Sequence, residues 1–497
     1  MIDRILLIDV GLPKEKTAKD KIIWHHHPLG LMYLASTVRK SFPDIDIRII
    51  DTVTNENPAL GIEKLVAEFN PHMIGLRSLS IAEKHFRKIA ERIREIVPDC
   101  YLIAGGPYPS SSYREILLSR MADMVVIGEG ETTFVELIDH SQKDGKLPRA
   151  LPGTAVLENG KLRVNTPRSP IQDIDTIPFP DYHLVDLGDY EGFSNQANQD
   201  ASQSAFICSS RGCPYECFYC HQLFGKKIRR RSPDNLLPEM REHIEQRGIS
   251  NFVFVDDTFN VPMNAAKEVL TRISEELPGI HISFPNGLRA DQFDEEMIDL
   301  FEKAGTVEMA LAVETATPRL QRLIGKKLNL EKARKAIECA SRRFIVRSFF
   351  MIGFPTESYE EALETIRFAR SLVHVTEPML NVLRVYEGTP LYTMLEPNKE
   401  QARLLRDQEH TSSSRLSRFE ASFYGDHFSE EKVPLKTEDI EKLRSQWFFE
   451  VLVNKERLRN SHNLLQKHLK NTEILDYFRT MFNNTRLNES FLNRLLG

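Results

Sequence analysis

Apolar residues over the first 140 positions come in short continuous runs separated by stretches of helical spacing. Ile5–Val10, Ile45–Asp51, Met73–Leu76, Tyr101–Ala104 and Met124–Ile127 read as strands. Runs that are continuous rather than alternating suit parallel strands buried on both faces. Between them Leu31–Arg39, Ile62–Phe69, Ala82–Val97 and a segment starting near Thr133 carry the period of helices. Alternation of this kind predicts a doubly wound, Rossmann-like α/β domain over residues 1–140, with ligand beyond the carboxyl ends of the strands.

Those ends carry Gly11, Arg77-Ser78, Gly105-Gly106-Pro107 and Gly128-Glu129-Gly130. Glycines there serve either tight turns or close approach of backbone to a large ligand, and spacing leaves both open. No G-x-G-x-x-G follows the first strand, which disfavours a dinucleotide. His25-His26-His27 reads as a loop lining a pocket, since adjacent loop side chains rarely converge on one ion. Residues 141–200 read as a linker. It holds a hairpin over Leu151–Val164, turning at Asn159-Gly160, and then the spaced prolines 167, 170, 178 and 180.

A second alternating region covers residues 201–395. Strands are expected at Ser204–Cys208, Phe252–Val255, His281–Phe284, Met309–Val313, Arg347–Ile352 and Met379–Val385, with helices near 233–247, 264–277, 294–304, 317–324, 330–343 and 358–372. Six strand–helix units fit a partial or full (β/α) barrel, with chemistry at the carboxyl ends of its strands. Those ends carry Asp256-Asp257-Thr258, Asn286 to Asp291, Glu314-Thr315 and Gly353 to Glu357. Single polar residues would be solvated loop charges, but polar groups at successive strand ends argue for a site. Residues 396–497 read as a helical region. Within it 436–470 form one or two amphipathic helices, with Ile440, Leu443, Trp447, Phe448, Val451 and Leu452 on the apolar side. Further helix is expected over 472–497, and no period over 405–432. This tail either packs on the barrel or closes the substrate pocket, and the two are compatible.

Composition adds little until the cysteines. The chain has 497 residues, a net charge of −6, 41% hydrophobic and 27% charged residues, as in an ordinary soluble protein of two or three domains. No apolar run reaches the roughly 18 residues of a membrane helix, and the first strand is too short for a signal peptide. A cytoplasmic protein with no membrane association is expected. Three of the six cysteines, Cys213, Cys217 and Cys220, form C-x3-C-x2-C. Crowding of this kind points to a metal centre in a reducing compartment. Three thiolates are one short of closing a zinc site or a saturated cluster, which leaves one iron open to a ligand. The basic run Lys226 to Arg231 could suggest RNA. In an acidic chain, directly after the cysteine loop, neutralising a cluster or an acidic ligand is the preferred reading, and no nucleic-acid partner is expected.

The run Arg211-Gly212-Cys213-Pro214-Tyr215-Glu216-Cys217-Phe218-Tyr219-Cys220 resembles the radical S-adenosylmethionine (SAM) superfamily, in the subgroup with an N-terminal cobalamin-binding domain. Arg231-Ser232-Pro233, Asp256-Asp257, Gly287 to Asp291, Glu314 to Thr317 and Gly353 to Glu357 are similar to later motifs of that family. Pro28 to Leu31, Gly105-Gly106-Pro107, Gly128 to Glu131 and the linker Ile177 to Pro180 match the first half. The resemblance covers roughly residues 1–395. It implies that Cys213, Cys217 and Cys220 ligate a [4Fe–4S] cluster whose open iron binds SAM. It further implies that Asp256, Asp257 and Thr258 lie near the methionine amino group, that Arg289 and Glu314 lie near carboxylate and ribose, and that Ile352 and Gly353 lie beside adenine. In the first domain Arg77, Gly105, Gly106, Pro107, Gly128 and Glu129 would face cobalamin. The D-x-H-x-x-G of His-ligated cobalamin proteins is Asp9-Val10-Gly11-Leu12-Pro13-Lys14 here, so no protein histidine replaces the displaced base, and Arg77 would lie under the corrin. The implied activity is methylation of an unactivated carbon of a small-molecule or natural-product intermediate, through a 5′-deoxyadenosyl radical and methylcobalamin. Electrons would come from a donor such as flavodoxin or ferredoxin. Ring formation or rearrangement without methyl transfer is the alternative within the subgroup, and a non-catalytic iron–sulfur carrier the alternative outside it. No residue is singled out as the catalytic acid or base.

Overall fold

A computed structural model of the chain describes residues 2–12, 25–55, 57–193, 200–395, 428–469 and 471–482. They fall into two compact units, one reaching Phe193 and including residues 221–225, the other formed by the remaining described residues from 200 onward.

The first unit is built on one seven-stranded sheet. Its strands are β1 Arg4–Val10, β2 Asp46–Asp51, β3 Met73–Ser78, β4 Tyr101–Gly105, β5 Met124–Val126, β6 Thr154–Glu158 and β7 Lys161–Val164, in the order β2-β1-β3-β4-β5-β6-β7. The first five are parallel, and β6 and β7 add antiparallel. The hairpin around Asn159-Gly160, expected in a linker, is therefore part of this sheet. Its Thr154 and Ala155 are fully buried beside β5. Helices α1 Leu29–Ser41 and α5 Glu131–Asp144 cover one face with Ile5, Leu7 and Met73. Helices α2 Pro58–Phe69, α3 Glu83–Ile96 and α4 Pro107–Leu118 cover the other with Leu6, Ile8 and Ile74. Residues of β1 thus alternate between two apolar layers, which is why that strand reads as a continuous apolar run. Helix α4 went unread because Tyr108 to Ser112 has turn composition. Pro107 opens it, at a position where a missing N–H costs nothing. The 2-1-3 strand order reverses direction between β1 and β3, and such a switch point leaves a crevice at the strand ends. Asp9, Gly11, Arg77 and Ser78 stand there.

The second unit holds six parallel strands in sequential order: β8 Ser204–Ile207, β11 Asn251–Phe254, β12 His281–Leu288, β13 Thr306–Glu314, β14 Ile345–Ile352 and β15 Glu377–Val382. A two-residue ribbon joins β9 Ser210–Arg211 to β10 Arg229–Arg230. The first and last strands of the sheet lie at opposite edges. This is the partial form of the expected barrel. Helices α6 Pro233–Arg247, α7 Met263–Glu276, α8 Glu295–Lys303, α9 Pro318–Leu323, α10 Leu330–Ala340 and α11 Tyr359–Ser371 fill the crossovers close to their expected positions. Side-chain caps fix several of their starts. Ser232, Asp294, Asn329 and Ser358 each accept from a backbone N–H of the first turn, and Glu361 completes a capping box with Ser358.

The tail adds α12 Pro390–Leu395 and helices over Thr437–Trp447, Lys455–His468 and Asn471–Phe482. Ile440, Leu443, Trp447 and Val451 are buried as expected, but Phe448 is 41% exposed. Phe448–Leu452 is a π-helical turn. Its wider turn rotates the apolar stripe and leaves Phe448 outside. The expected absence of period over 405–432 lies mostly outside the described residues. The last two helices pack with Ile345, the first residue of β14, in one apolar cluster with Leu458, Leu465, Tyr477 and Phe478. They close on the amino ends of the strands, opposite the strand ends that carry the motifs. Of the two readings of the tail, packing on the barrel therefore describes the helices Lys455–His468 and Asn471–Phe482.

A chain of buried charges fastens that packing. Arg347 of β14 meets Glu377 of β15 at 2.9 Å and Glu308 of β13 at 3.3 Å. Arg457 of the tail donates to the carbonyls of Val451, Thr376 and Leu452. All four side chains are almost fully buried.

Candidate functional site

In the second unit, β8 leads directly into the cysteine loop. The loop is tied down mainly by backbone. Phe218 N–H donates to Ile324 O at 3.1 Å and Phe218 O accepts from Leu391 N at 2.8 Å. Gly325 has φ +74, and a Cβ there would lie 2.3 Å from Glu216 O. Only a glycine lets the α9–α10 turn approach this closely, because the obstacle is backbone. Gly325→Ala is accordingly expected to push the loop outward, lowering the thermal midpoint and the iron bound per chain. Full iron occupancy in that variant would show that the close approach is dispensable.

Cys213, Cys217 and Cys220 influence one another directly. The Cys220 thiol hydrogen-bonds to Cys217, and this, aided by the Lys326 ammonium and the Tyr219 hydroxyl, lowers Cys217 to about 7. Burial pushes Cys213 up, with the charge of Cys217 adding to it. Among the described residues no three His, Cys, Asp or Glu side chains gather to hold a single ion. Thiols that each ligate a different iron of a cluster need not meet at one point. A loop of three interacting thiols beside a buried cation fits such a group. Cys208 differs from the triad: it is pushed up to about 12 by burial and the nearby Asp256, and its Sγ donates to Ser210 O.

The strand ends that carry the other motifs surround this loop. Asp256 does not present a free carboxylate. It accepts from Ser209 Oγ at 2.7 Å, Ser209 N at 3.3 Å and Ser210 Oγ, and so braces the start of the loop. Asp257 accepts from Gly212 N at 3.1 Å, one residue before the first cysteine of the triad. Burial raises both carboxyls. Thr258 is buried, and its hydroxyl has no partner among the described residues. Arg289 is also engaged. Its Nε and Nη2 hold Asp291, its Nη1 donates to Lys326 O at 2.6 Å and its Nη2 to Lys327 O at 3.1 Å. Its face lies 3.9 Å from the Tyr215 ring. It therefore clamps the turn after α9 to the cysteine loop.

Glu314 ends β13 with φ +70, a conformation uncommon for a residue with a side chain. It pairs with Lys326 Nζ at 3.0 Å. Lys326 is a functional candidate the motifs did not flag, and only its place in the fold reveals it. Ile352 is fully buried, two residues beyond Phe350, whose ring packs on Trp447. By the pleat Ile352 shares that helix-facing side, so the strand end presents chiefly the Gly353 backbone. Gly353 N and Phe354 N both donate to Glu357, whose carboxyl is pushed up to about 8 by burial. The Phe354 ring lies 6.3 Å from Tyr219 and 6.4 Å from Phe218 of the cysteine loop.

The basic run after the loop is mostly interior. Arg229 and Arg231 are buried, Arg231 pairs with Glu239, and Arg230 donates to Phe259 O and to Val261 O at 3.1 Å. These arginines build the ribbon and hold α6 and the β11–α7 loop.

In the first unit the crevice between β1 and β3 is bridged by Arg77, whose Nη1 reaches both oxygens of Asp9 at 2.8 and 2.9 Å. Its Nε and Nη2 make no hydrogen bond among the described residues. Burial raises the Asp9 carboxyl, against the pull of Arg77. Gly105 is registered beside Arg77, and Gly106, at φ +88, allows the Arg77 stem a contact that a Cβ would make at 2.8 Å. Pro107 then opens α4. Gly128 has φ +83 and its N–H meets Ser110 Oγ at 3.1 Å, while Glu129 accepts from Ile171 N at 2.7 Å. Arg77, Gly105 and Gly106 thus come together, and Glu129 is turned to hold the chain after β7. His25 Nε2 donates to Asp51 at 2.6 Å, and Asp51 also accepts from Tyr190 OH at 2.9 Å. The His27 ring packs edge-on against Tyr190 at 4.5 Å. His26 is held near 3 by burial and by the neighbouring His25 and Arg77. His25 and His27 thus pack against Asp51, Tyr182 and Tyr190. Glycines 105 and 106 beside Arg77 at the strand ends, with no histidine over residues 9–14, fit a corrin bound without a D-x-H-x-x-G ligand.

Comparison with known proteins agrees with both halves. Residues 207–369 match the model of the radical SAM superfamily, and residues 18–138 that of the B12-binding domain. An uncharacterized methyltransferase of Pyrococcus horikoshii is 31% identical over 398 residues, covering 78% of this chain and 83% of that protein. The cytidylyl-2-hydroxyethylphosphonate methyltransferase of Streptomyces wedmorensis is 28% identical, covering 69% of this chain and 73% of that one. Among solved structures, the radical SAM methyltransferase TsrM of Kitasatospora setae, with cobalamin and a [4Fe–4S] cluster bound, superposes with a TM-score of 0.64 at 17% identity, over 81% of this chain and 76% of that one.

Proposed function

Because this chain belongs to the radical SAM superfamily and carries a B12-binding domain, we propose that it is a cobalamin-dependent radical SAM methyltransferase acting on an unactivated carbon. The observation that carries this reading is the triad Cys213, Cys217 and Cys220, fixed by backbone bonds at the mouth of six parallel strands. The [4Fe–4S] cluster with SAM supplies a 5′-deoxyadenosyl radical, and cobalamin supplies the methyl group.

The chain's own residues have distinct tasks in this reading. Cys213, Cys217 and Cys220 hold the cluster. Asp256 and Asp257 set the path of the loop by accepting from Ser209, Ser210 and Gly212, and their remaining acceptor sites are available to the methionine amino group of the cosubstrate. The Thr258 hydroxyl, which has no partner among the described residues, and Glu314 are placed to meet the cosubstrate, with Ile352 and Gly353 beside its adenine. In the first unit Gly105, Gly106, Pro107 and Gly128 form the ledge for the corrin. Arg77, held in place by Asp9, would lie against the corrin. The substrate is a small-molecule or natural-product intermediate, and a flavodoxin or ferredoxin supplies electrons. No described helix is long and apolar enough to cross a membrane.

Two measurements test this. Anaerobically reconstituted protein, once reduced, is expected to cleave SAM to 5′-deoxyadenosine. With CD3-labelled SAM and candidate intermediates, mass spectrometry is expected to find the label in a product. No cleavage would end the enzyme reading, and cleavage without label transfer would favour ring formation or rearrangement. For the corrin site, protein with bound cobalamin is expected to show a base-off spectrum without histidine ligation. Arg77→His is expected to convert it to a His-ligated spectrum. An unchanged spectrum in that variant, with cobalamin still bound, would remove Arg77 from beneath the cobalt.

A further inference from the structure

Two cations approach the cysteine loop from neighbouring strand ends, and they differ in what remains open to a ligand. Arg289 makes four hydrogen bonds with its five donors, to Asp291 and two main-chain carbonyls, and its face is covered by Tyr215. It holds the turn that carries Lys326. Lys326 is nearly buried at 8% exposure. Its ammonium has three donors, and among the described residues it makes one hydrogen bond, to Glu314 Oε1 at 3.0 Å. The turn that carries it lies against the cysteine loop, with Ile324 O accepting from Phe218 N at 3.1 Å and Gly325 packed on Glu216 O. A buried ammonium with two donors unused, placed between a strand-end carboxylate and three candidate cluster ligands, is a site for one further anion.

Resting on the reading that the protein binds a cluster and SAM, we propose that Lys326 is the positioning residue that receives the α-carboxylate of SAM. The carboxylate of a cosubstrate bound at the open iron lies beside the cluster, which is where this ammonium points its charge. Lysine suits the place better than arginine, because a compact point charge on a flexible stem can serve Glu314 and a second carboxylate together. Arg289, the residue suggested by motif position, acts one step back by fixing the Lys326 and Lys327 carbonyls.

The test compares the affinity of the cluster-loaded protein for SAM and for its decarboxylated analogue, S-adenosyl-3-methylthiopropylamine, by equilibrium dialysis. The wild type is expected to prefer SAM. Lys326→Met is expected to weaken SAM by about 10- to 100-fold, the worth of a charge-assisted hydrogen bond, and to leave the analogue unchanged. The preference for SAM then narrows by that factor. Iron and sulfide content show whether the variant is loaded. If Lys326→Met does not hold a cluster, Lys326→Gln, which keeps a polar side chain but removes the charge, is read the same way. A variant that is loaded and keeps the wild-type preference overturns the proposal, even if its cluster potential shifts. Failure of the wild type to bind SAM at all would overturn the proposed function instead.

Discussion

Cys217→Ala is expected to bring 5′-deoxyadenosine formation down to the level of a protein-free control and to remove most of the bound iron. Three thiolates from one loop hold a cluster only as a set, since losing one opens a second iron to solvent. Cys217 sits at the centre of the set, receiving hydrogen bonds from Cys220 and Tyr219 and lying within reach of Lys326. Cys213→Ala and Cys220→Ala are expected to behave alike. Cys208 is the internal control. It stands five residues before Cys213, yet its Sγ is taken up by Ser210 O and burial pushes its thiol up to about 12. Cys208→Ala is therefore expected to keep both iron and cleavage. Iron and sulfide assays with product chromatography on the four variants decide the matter. A Cys217→Ala protein that still cleaves SAM would sink the assignment, as would a Cys208→Ala protein that folds normally but loads no iron.

What sequence shows about such a site depends on how local its chemistry is. The triad is legible because its spacing is short and thiolates have few other uses at such density. The strands are legible because burial on both faces leaves a continuous apolar run, as in Ile5–Val10. Asp256 and Arg289 show the limit. Their positions at strand ends are readable, but whether a carboxylate or guanidinium is free for a ligand depends on partners distant in sequence. Asp256 is taken by serines 46 and 47 positions away, and Arg289 by carbonyls 37 and 38 positions away. Lys326 is the converse. Nothing in Gly325-Lys326-Lys327 marks it, and it becomes a candidate only when Arg289 and Gly325 bring that turn against the loop. The hairpin at Asn159-Gly160 was readable as a hairpin, but its pairing with β5 was not, because strand pairing is a tertiary choice. Phe448 shows a periodic argument failing at a π-turn, where the period itself changes.

The buried charges at the amino ends of the strands carry the other large expectation. Arg347 neutralises Glu377 and faces Glu308, and all three are almost fully buried. Removing one partner of such a set strands the remaining charges, at a cost of about 3–5 kcal/mol. Arg347→Met is expected to lower the thermal midpoint of the second unit sharply and to loosen helices 455–482, which close over this end. Glu308 adds a pH dependence. Burial raises its carboxyl from 4.5 to about 7, against the pull of Arg347. A raised carboxyl contributes stability that is fully present below its unfolded value and is lost as pH rises through about 7. The wild-type midpoint is thus expected to fall between pH 5 and 8 through this group, and Glu308→Gln to flatten that part of the profile, up to ~3 kcal/mol. Replacing Arg347, Glu308 and Glu377 together by methionine is expected to recover part of what Arg347→Met loses, the remainder being the buried Arg457, which then lacks the Glu377 charge. Calorimetry from pH 5 to 8 on these variants reads every outcome. An Arg347→Met protein as stable as the wild type at pH 8 would show that the tail does not depend on this charge set. The cysteine loop lies at the other end of the strands, so SAM affinity measured well below the midpoint is expected to stay unchanged. That separation distinguishes a fastening at the base of the barrel from a residue of the site.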